Sequence, residues 1–336
     1  MKTRLIDIAE AAHVSEATVS RVLAGKAGVN PDTRDKVMAI AHRLGRHSDA
    51  QARFSQPMIG ISIPNVENPV FPLFLERLEA EAFASGLDTL VSVNARSDAQ
   101  EAASLERLVH AGAGGLIVIS GQHAHDETGI DHYAALASRG IKLCLINGVR
   151  DGVEANFIST DDAAAVRLSL NHLRHLGHSR MGLAVGDEHS WPVRQKVSEF
   201  EKLHAGQRPT IAFTDFSFAG GYQAAIELHA QGCTAIICGS DQMAMGAISA
   251  LRDVGLQVPR DVSIVGYDDI PSARMHAPSI TTVRQPLQVM TRAAVRSVMG
   301  TNGESRQASR SVFTVGPELV VRGSTAPPPE ALPLNA

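Results

Sequence analysis

The sequence predicts an all-α helix-turn-helix head followed by an α/β core of two parallel-sheet lobes, and three observations support this. Thr3 to Lys36 reads as two short helices joined by a tight turn, then a third helix. From Met58 onward, short apolar runs alternate with helical stretches, the texture of repeated β-α units. Charge is also divided. Residues 1–57 carry a net +3 and the remainder −7, within an overall −4. A basic head on an acidic body suits a head that meets phosphates and a body that does not.

In the head, Ile8, Ala9, Val14, Val19, Val22 and Leu23 are spaced so that two steeply crossing helices bury them together. Ser15 is the expected N-cap of a second helix running from about Glu16 to Ala24. Glu16, Ala17, Ser20 and Arg21 fall on the other face of that helix, small and polar apart from one arginine. Such a face allows close approach to a DNA major groove while Arg21 donates to a phosphate or a guanine edge. The third helix begins with Asn30 as cap, Pro31 at its first position and Asp32 in its first turn. His13 occupies the turn position where glycine is usual, and histidine tolerates a left-handed conformation. A three-helix packing module without DNA contact is the bland alternative.

Residues 46–57 are short, polar and end in proline, as a linker does. Ser48 with Gln51 forms a possible capping box for a helix of one or two turns, marginal on its own. Strands are then expected at 58–64, 89–94, 115–120, 141–147, 180–185, 210–213, 234–240 and 262–269. Helices are expected near 70–86, 99–112, 130–139, 161–177, 192–205, 219–231 and 241–255. A further strand begins at 281–286, followed by a helix and by strands near 311–321. The strand ends carry Asn65, Asn68, Asn94, Ser120, Asn147, Ser240 and Asp268, and open parallel sheets bind ligands at the carboxyl ends of their strands.

Other classes of function find little support. The glycines of 111–120 precede a strand instead of following one, and no phosphate loop, nucleophile elbow or His-Glu-x-x-His motif is present. His123, His125 and Asp126 form the one tight histidine cluster, read as a solvated loop and not a metal site. Cys144, Cys233 and Cys238 sit in apolar runs without zinc spacing, consistent with reduced thiols in a cytoplasmic protein. Neither a signal peptide nor a membrane-length apolar run is expected, and no metal or cofactor. An α/β enzyme and a sugar-binding protein without a regulatory role remain the rival readings.

These residues together resemble the lactose/galactose repressor (LacI/GalR) family of bacterial transcription regulators, over about residues 4–325. The resemblance is carried by DIAEAAHVSEATVSRVL and NPDTRDKV, then by ENPVF (67–71), HLRHLGH (172–178), SDQMAMGAI (240–248), PRDVSIVGYDD (259–269), ITTVRQP (280–286) and ELVVRGST (318–325), in order. It implies a homodimer on double-stranded operator DNA, with a periplasmic-binding-protein-like core that senses a small molecule. The implied layout is a DNA-binding head at 1–46, a hinge at 47–57, a core at 58–326 and a disordered tail at 327–336. Within the core, lobe 1 spans about 58–158 and 283–320, and lobe 2 about 159–280.

Carried over by position, Ser15, Glu16, Ala17, Thr18, Ser20 and Arg21 face DNA, with Asn30, Thr33 and Arg34 toward phosphates. Glu16 either accepts from a cytosine amine or is simply a first-turn glutamate favoured by the helix dipole. The hinge departs from the family pattern: Arg46, His47, Ser48 and Asp49 replace Tyr-x-Pro-Asn, and Ser55 stands where a leucine wedge is usual. Either Phe54 wedges a base step in a shifted register, or the hinge binds through Arg46 and Arg53.

Effector residues map onto Phe71, Asn147, Lys196, Phe216, Ser240 and Asp268, a set suited to a sugar, sugar acid, sugar phosphate or nucleoside. Phe71 and Phe216 either face that ligand or pack in the core. Lys196 replaces the commoner arginine, and a point charge favours an acidic or phosphorylated ligand. Glu199 replaces the usual glycine before Phe200. Leu73, Leu75, Leu78 and Phe83 offer either a dimer face or packing against the sheet.

Overall fold

The structure, a computed structural model, describes residues 5–23, 28–43, 57–93, 97–126, 129–204, 209–299 and 310–329. Of the expected hinge only Pro57 is among them, so Arg53 and Phe54 lie outside the described residues.

The head comprises α1 (Leu5–Ala12), α2 (Glu16–Leu23) and α3 (Pro31–Arg43). Its core is Ile8, Ala9, Ala12, Val19, Val22, Leu23, Val37, Ile40 and Ala41, with Leu5, Val14, Val29 and Met38 packed around it. Eight-residue helices are marginal in water, so this shared apolar core holds them. The caps are those the sequence specified. Ser15 Oγ accepts from the Thr18 backbone N–H at 3.2 Å, and Asn30 Oδ1 accepts from that of Asp32 at 2.9 Å. His13 has φ of 56°, and the backbone N–H groups of His13 and Val14 return to the carbonyls of Glu10 and Ala9 to end α1.

Among the described residues, the core contains two six-stranded sheets. The first is formed by β1 (Met58–Ile63), β2 (Asp88–Val93), β3 (Ala113–Ile119), β4 (Lys142–Ile146), β5 (Asn156–Thr160) and β11 (Ser311–Val315), in the order β11-β5-β4-β3-β1-β2. The second is formed by β6 (Met181–Val185), β7 (Thr210–Phe213), β8 (Ala235–Cys238), β9 (Ser263–Asp268), β10 (Thr281–Arg284) and β12 (Glu318–Val320), in the order β12-β10-β9-β8-β6-β7. Strand β12 runs antiparallel to β10, whereas β10 through β7 pair in parallel. The helices are α4 (Val70–Ala84), α5 (Asp98–His110), α6 (Asp131–Ser138), α7 (Asp162–His175), α8 (Trp191–Leu203), α9 (Phe218–Ala230), α10 (Asp241–Asp253), α11 (Pro271–Met275) and α12 (Leu287–Val298).

Three differences from the sequence reading have simple causes. Strand β5 was not expected, because Asn156, Ser159 and Thr160 break its apolar run; it is buried through its place between β4 and β11. Helix α11 is too short to show a period. The lobe boundary also moves, since Glu318–Val320 joins the second sheet through β10 and not the first, into which residues 283–320 were expected to return. The tail expected from residue 327 is described through Pro329, and 330–336 lie outside.

The chain therefore passes between lobes after β5, after β10 and after β11. The crossings lie side by side: the Asp161 N–H donates to the Val315 carbonyl at 2.9 Å, and Thr160 Oγ1 donates to Gln285 Oε1 at 2.9 Å. On α4, Leu78 is fully buried and Leu73 and Leu75 are half-buried, whereas Phe83 is 86% exposed. Leu78 is enclosed in the fold, where α4 lies against α12, and Phe83 alone of the four points fully outward.

At His13, a β-branched side chain should resist the left-handed turn at a cost of about 1–2 kcal/mol. His13→Val should speed amide exchange in α1 and α2, whereas His13→Gly should leave it unchanged or slower. Equal exchange in the two variants would show that the turn carries no such constraint.

Candidate functional site

The head presents α2 to solvent by its polar face. Ser15, Glu16, Ala17, Ser20 and Arg21 are exposed and Thr18 is half-buried, its hydroxyl 2.9 Å from that of Ser15. At the start of α3, Asn30 is exposed and Thr33 and Arg34 are half-buried. The helix thus exposes small residues beside one arginine and one glutamate.

The core holds a cavity of about 440 Å³ between its two lobes. Phe71, Asn147, Lys196, Phe216, Ser240 and Asp268, the six expected effector residues, all line it. Five of them stand at strand ends or helix starts, and Lys196 comes from within α8. Ser120, Asn147 and Asp268 close β3, β4 and β9 with φ of 46°, 67° and 111°. Non-glycine residues hold such angles only when their surroundings impose them, and they concentrate at ligand sites. Asn147 Nδ2 donates to Ser120 Oγ at 3.1 Å. Ser240 caps α10, its Oγ accepting from the Met243 N–H at 3.2 Å. The Phe216 ring lies so close to Gly186 and Gly239 that a Cβ at either would sit 2.5 and 2.9 Å from it. That fit seats an aromatic face at the cavity wall and excludes larger residues beneath it.

Sequence reasoning missed the polar framework under these residues. Lys196 Nζ bonds Asp162 Oδ1, with side-chain exposures of 5% and 4%, and lies 4.1 Å from the centre of the Tyr267 ring. The Tyr267 hydroxyl donates to the same Asp162 oxygen at 2.9 Å. Burial, then Asp162, holds the Tyr267 phenol well above its ordinary range. Asp268 accepts from Gln285 Nε2 at 2.6 Å. Its burial, and next the nearby Asp241, push its carboxyl well above the usual range. Asp241 lies behind it, fully buried, accepting from Thr282 Oγ1 at 2.5 Å and the Ile270 N–H at 2.8 Å. Burial nevertheless raises Asp241 to about 7. Gln285 stood within a recognised motif; Asp162 gave no local signal, being 34 positions from Lys196.

Two expectations change. The Lys196 charge is already matched by Asp162, and Glu67, Asp187, Asp215 and Asp268 line the same cavity, with His125 the other basic lining residue described. That balance argues against a site tuned by Lys196 to anionic ligands. Of the cluster His123, His125 and Asp126, expected as a solvated loop, His123 is instead buried, while His125 is half-buried and Asp126 exposed. His123 is 1% exposed, its Nε2–H donating to the Ile146 carbonyl at 3.1 Å, and burial lowers it to about 4. Glu199 has a partner of its own, Arg167 Nη1 at 2.9 Å, which joins α7 to α8. Cys144, Cys233 and Cys238 are buried free thiols. Among the described residues, no group of three or more His, Cys, Asp or Glu side chains is placed to hold a metal, and no helix is long and apolar enough to cross a membrane.

A helix-turn-helix head with a two-lobed, cavity-bearing α/β core defines a ligand-responsive DNA-binding regulator. Known proteins specify it further. Residues 4–48 match bacterial regulatory proteins of the lacI family, and residues 170–325 match the periplasmic binding protein-like domain. The chain is 41% identical over 340 residues to the HTH-type transcriptional regulator reg1 of Streptomyces lividans, covering 98% of each. It is 40% identical over 339 residues to the HTH-type transcriptional regulator MalR of Streptomyces coelicolor, again covering 98% of each. Its fold matches the Lac repressor bound to ONPG in the repressed state, with TM-score 0.71, 26% identity, and coverage of 97% of this chain and 100% of that one. It also matches the Lac repressor dimer bound to operator and the anti-inducer ONPF, with TM-score 0.69, 25% identity, and the same two coverages. The chain belongs to the LacI family of transcriptional regulators.

Two outcomes test the buried framework. Lys196→Met leaves Asp162 as an uncompensated buried charge and should cost about 3–5 kcal/mol in denaturant unfolding. Adding Asp162→Asn should recover much of that loss, and a purely additive double variant would contradict the pairing. Asp241 titrates at about 7 in the fold against an ordinary 3.8, so its neutral form stabilises the protein below about pH 4 and that contribution is lost as pH rises to about 7. The melting temperature of Asp241→Asn should therefore gain on the parent between pH 5 and 7.5; a constant gap would refute the assignment.

Proposed function

We propose that this chain represses transcription as a homodimer on two operator half-sites, and that an uncharged, polyhydroxylated molecule in the core cavity controls its operator affinity. The carrying observation is Asp268, a buried carboxyl at the mouth of β9 whose partner Gln285 is bonded in turn to Thr160. Gln285 and Thr160 belong to two of the three interlobe crossings. A hydroxyl pair bridging Asp268 and Asn147 thus acts on the segments about which the lobes move, and any ligand that favours one lobe arrangement shifts the population of that state.

The DNA reading rests on the exposed face of α2, with Arg21 and Glu16 toward base edges, Ser15, Ala17, Thr18 and Ser20 allowing close approach, and Asn30, Thr33 and Arg34 toward phosphates. The Lac repressor, a fold neighbour, is a dimer in its crystal structure on operator, which supports the dimeric, DNA-bound part of this reading. The acidic lining supports a neutral sugar over a sugar acid or phosphate, because each added anion would meet Glu67, Asp187 or Asp215 without a spare cation. A regulatory role without catalysis agrees with the relatives, both named transcriptional regulators.

The test is to select an operator from randomised duplexes and titrate it by anisotropy with neutral sugars, sugar acids and sugar phosphates present. A neutral sugar should change affinity by about 10–100-fold, and Asp268→Ala should abolish the response while retaining sugar-free operator binding. A response to anionic sugars alone, or one that survives Asp268→Ala, would overturn this reading.

A further inference from the structure

We propose that a charged clasp at one end of the cavity holds the two lobes together, and that protonation of His125 and His189 tightens it. The lobe 1 half is the loop after β3, residues 121–126; the lobe 2 half is the loop after β6 and the first turn of α8. His125 and Ser190 form an antiparallel bridge across the gap, and the Asp126 N–H donates to the His189 carbonyl at 3.3 Å. Around that backbone contact the charges alternate. His125 Nδ1 lies 3.6 Å from Asp187 Oδ2, His189 Nδ1 lies 3.6 Å from Asp126 Oδ1, and Arg194 bonds the other Asp126 oxygen. Arg150, from the segment after β4, donates to the carbonyls of His125 and Asp126 at 2.5 and 2.8 Å.

The lobe 1 half is braced from within. The Gln122 N–H donates to Glu101 Oε2 at 3.0 Å, and the His123 N–H to the Tyr133 hydroxyl at 3.3 Å. Tyr133 donates in turn to Glu101 Oε1, which His132 Nε2 also meets at 3.1 Å. The loop is consequently presented as a stiff arm, while its outer side chains stay in partial contact with water, His125 at 34% and Asp126 at 38%. His125, Asp187 and Ser190 are also part of the cavity wall.

Half-exposed ion pairs are individually weak and screened by salt. That is what a clasp requires if small changes are to release it. Histidine changes charge between pH 5 and 8, and each of these two faces a carboxylate of the opposite lobe. The other charges on this site are Arg150, Arg194, the adjacent Glu188 and His123. Burial keeps His123 neutral across that range, so it braces the arm without adding to the response. A second, weaker contact at another point of the gap, Gln242 Nε2 to the Glu67 carbonyl at 3.5 Å, carries no titrating group. The consequence for effector affinity rests on the proposed role of the cavity; the clasp itself does not.

Deuterium exchange on the full chain, without any added sugar, tests it. After correction for intrinsic rates, peptides covering 121–126 and 186–194 should exchange several-fold more slowly at pH 6 than at pH 8 in low salt. The difference should vanish in 1 M NaCl, in His189→Gln with His125→Gln, and in Asp126→Asn with Asp187→Asn. The emission of Trp191, the single tryptophan and the first residue of α8, should shift with the same pH midpoint. Each double variant is read only where peptides from β3 and β6 exchange as in the parent, and His189→Gln alone should reduce the pH difference if a double variant misfolds. Equal corrected exchange at both pH values in the parent, or an undiminished pH difference in the variants, would overturn the clasp.

Discussion

Three buried carboxyls, Asp162, Asp241 and Asp268, share one end of the second sheet with a single buried cation among the described residues, Lys196. Removing charge from water is costly, and a group that lacks a partner gives up its charge instead. The three carboxyls meet this constraint in different ways. Asp162 takes the lysine and a phenolic hydroxyl. Asp241 takes two donors and a proton. Asp268 takes one donor, Gln285, and remains at the cavity wall. The polar residues of the region, Tyr267, Thr282, Gln285 and the Ile270 N–H, are placed to answer these three groups, and Asp268 meets the ligand space beside Asn147, Lys196 and Ser240.

This arrangement explains why the charge of the ligand cannot be inferred from one basic residue. Lys196 read alone invites an anion, but its ammonium is already held by Asp162 and lies over the Tyr267 ring. What the cavity presents instead is a surplus of acceptors, with an aromatic face at Phe216 seated on glycine. Hydroxyl groups donate to such a surface and apolar ring faces stack on it.

The head was legible almost residue by residue, because its determinants are local: caps at Ser15 and Asn30, a left-handed His13, and an apolar set repeating at helical spacing. Most strands were legible for the same reason, and the polar residues at their ends pointed to the cavity before any tertiary information. What escaped is non-local. Strand β5 has no apolar run and exists because two neighbours enclose it. The antiparallel β12 returns to the second lobe through pairing with β10, which no local pattern encodes. His123 resembled a loop histidine until the fold placed Glu101 and Tyr133 around it.

The two kinds of determinant divide the labour of a regulator. A reading head must present one face in a fixed form, and local signals that fold a short segment around its own small core suffice for that. A sensing core must hold at least two arrangements close in free energy, which local signals cannot specify. Its balance is set by pairs far apart in sequence: Thr160 with Gln285 at the crossings, Asp126 with His189 and Arg194 across the gap. The half-exposed contacts among these are each worth little, and that weakness keeps two lobe arrangements within reach of one ligand's binding energy. The strongly buried pair, Lys196 with Asp162, joins two helices of the same lobe and so stiffens the body without opposing its motion.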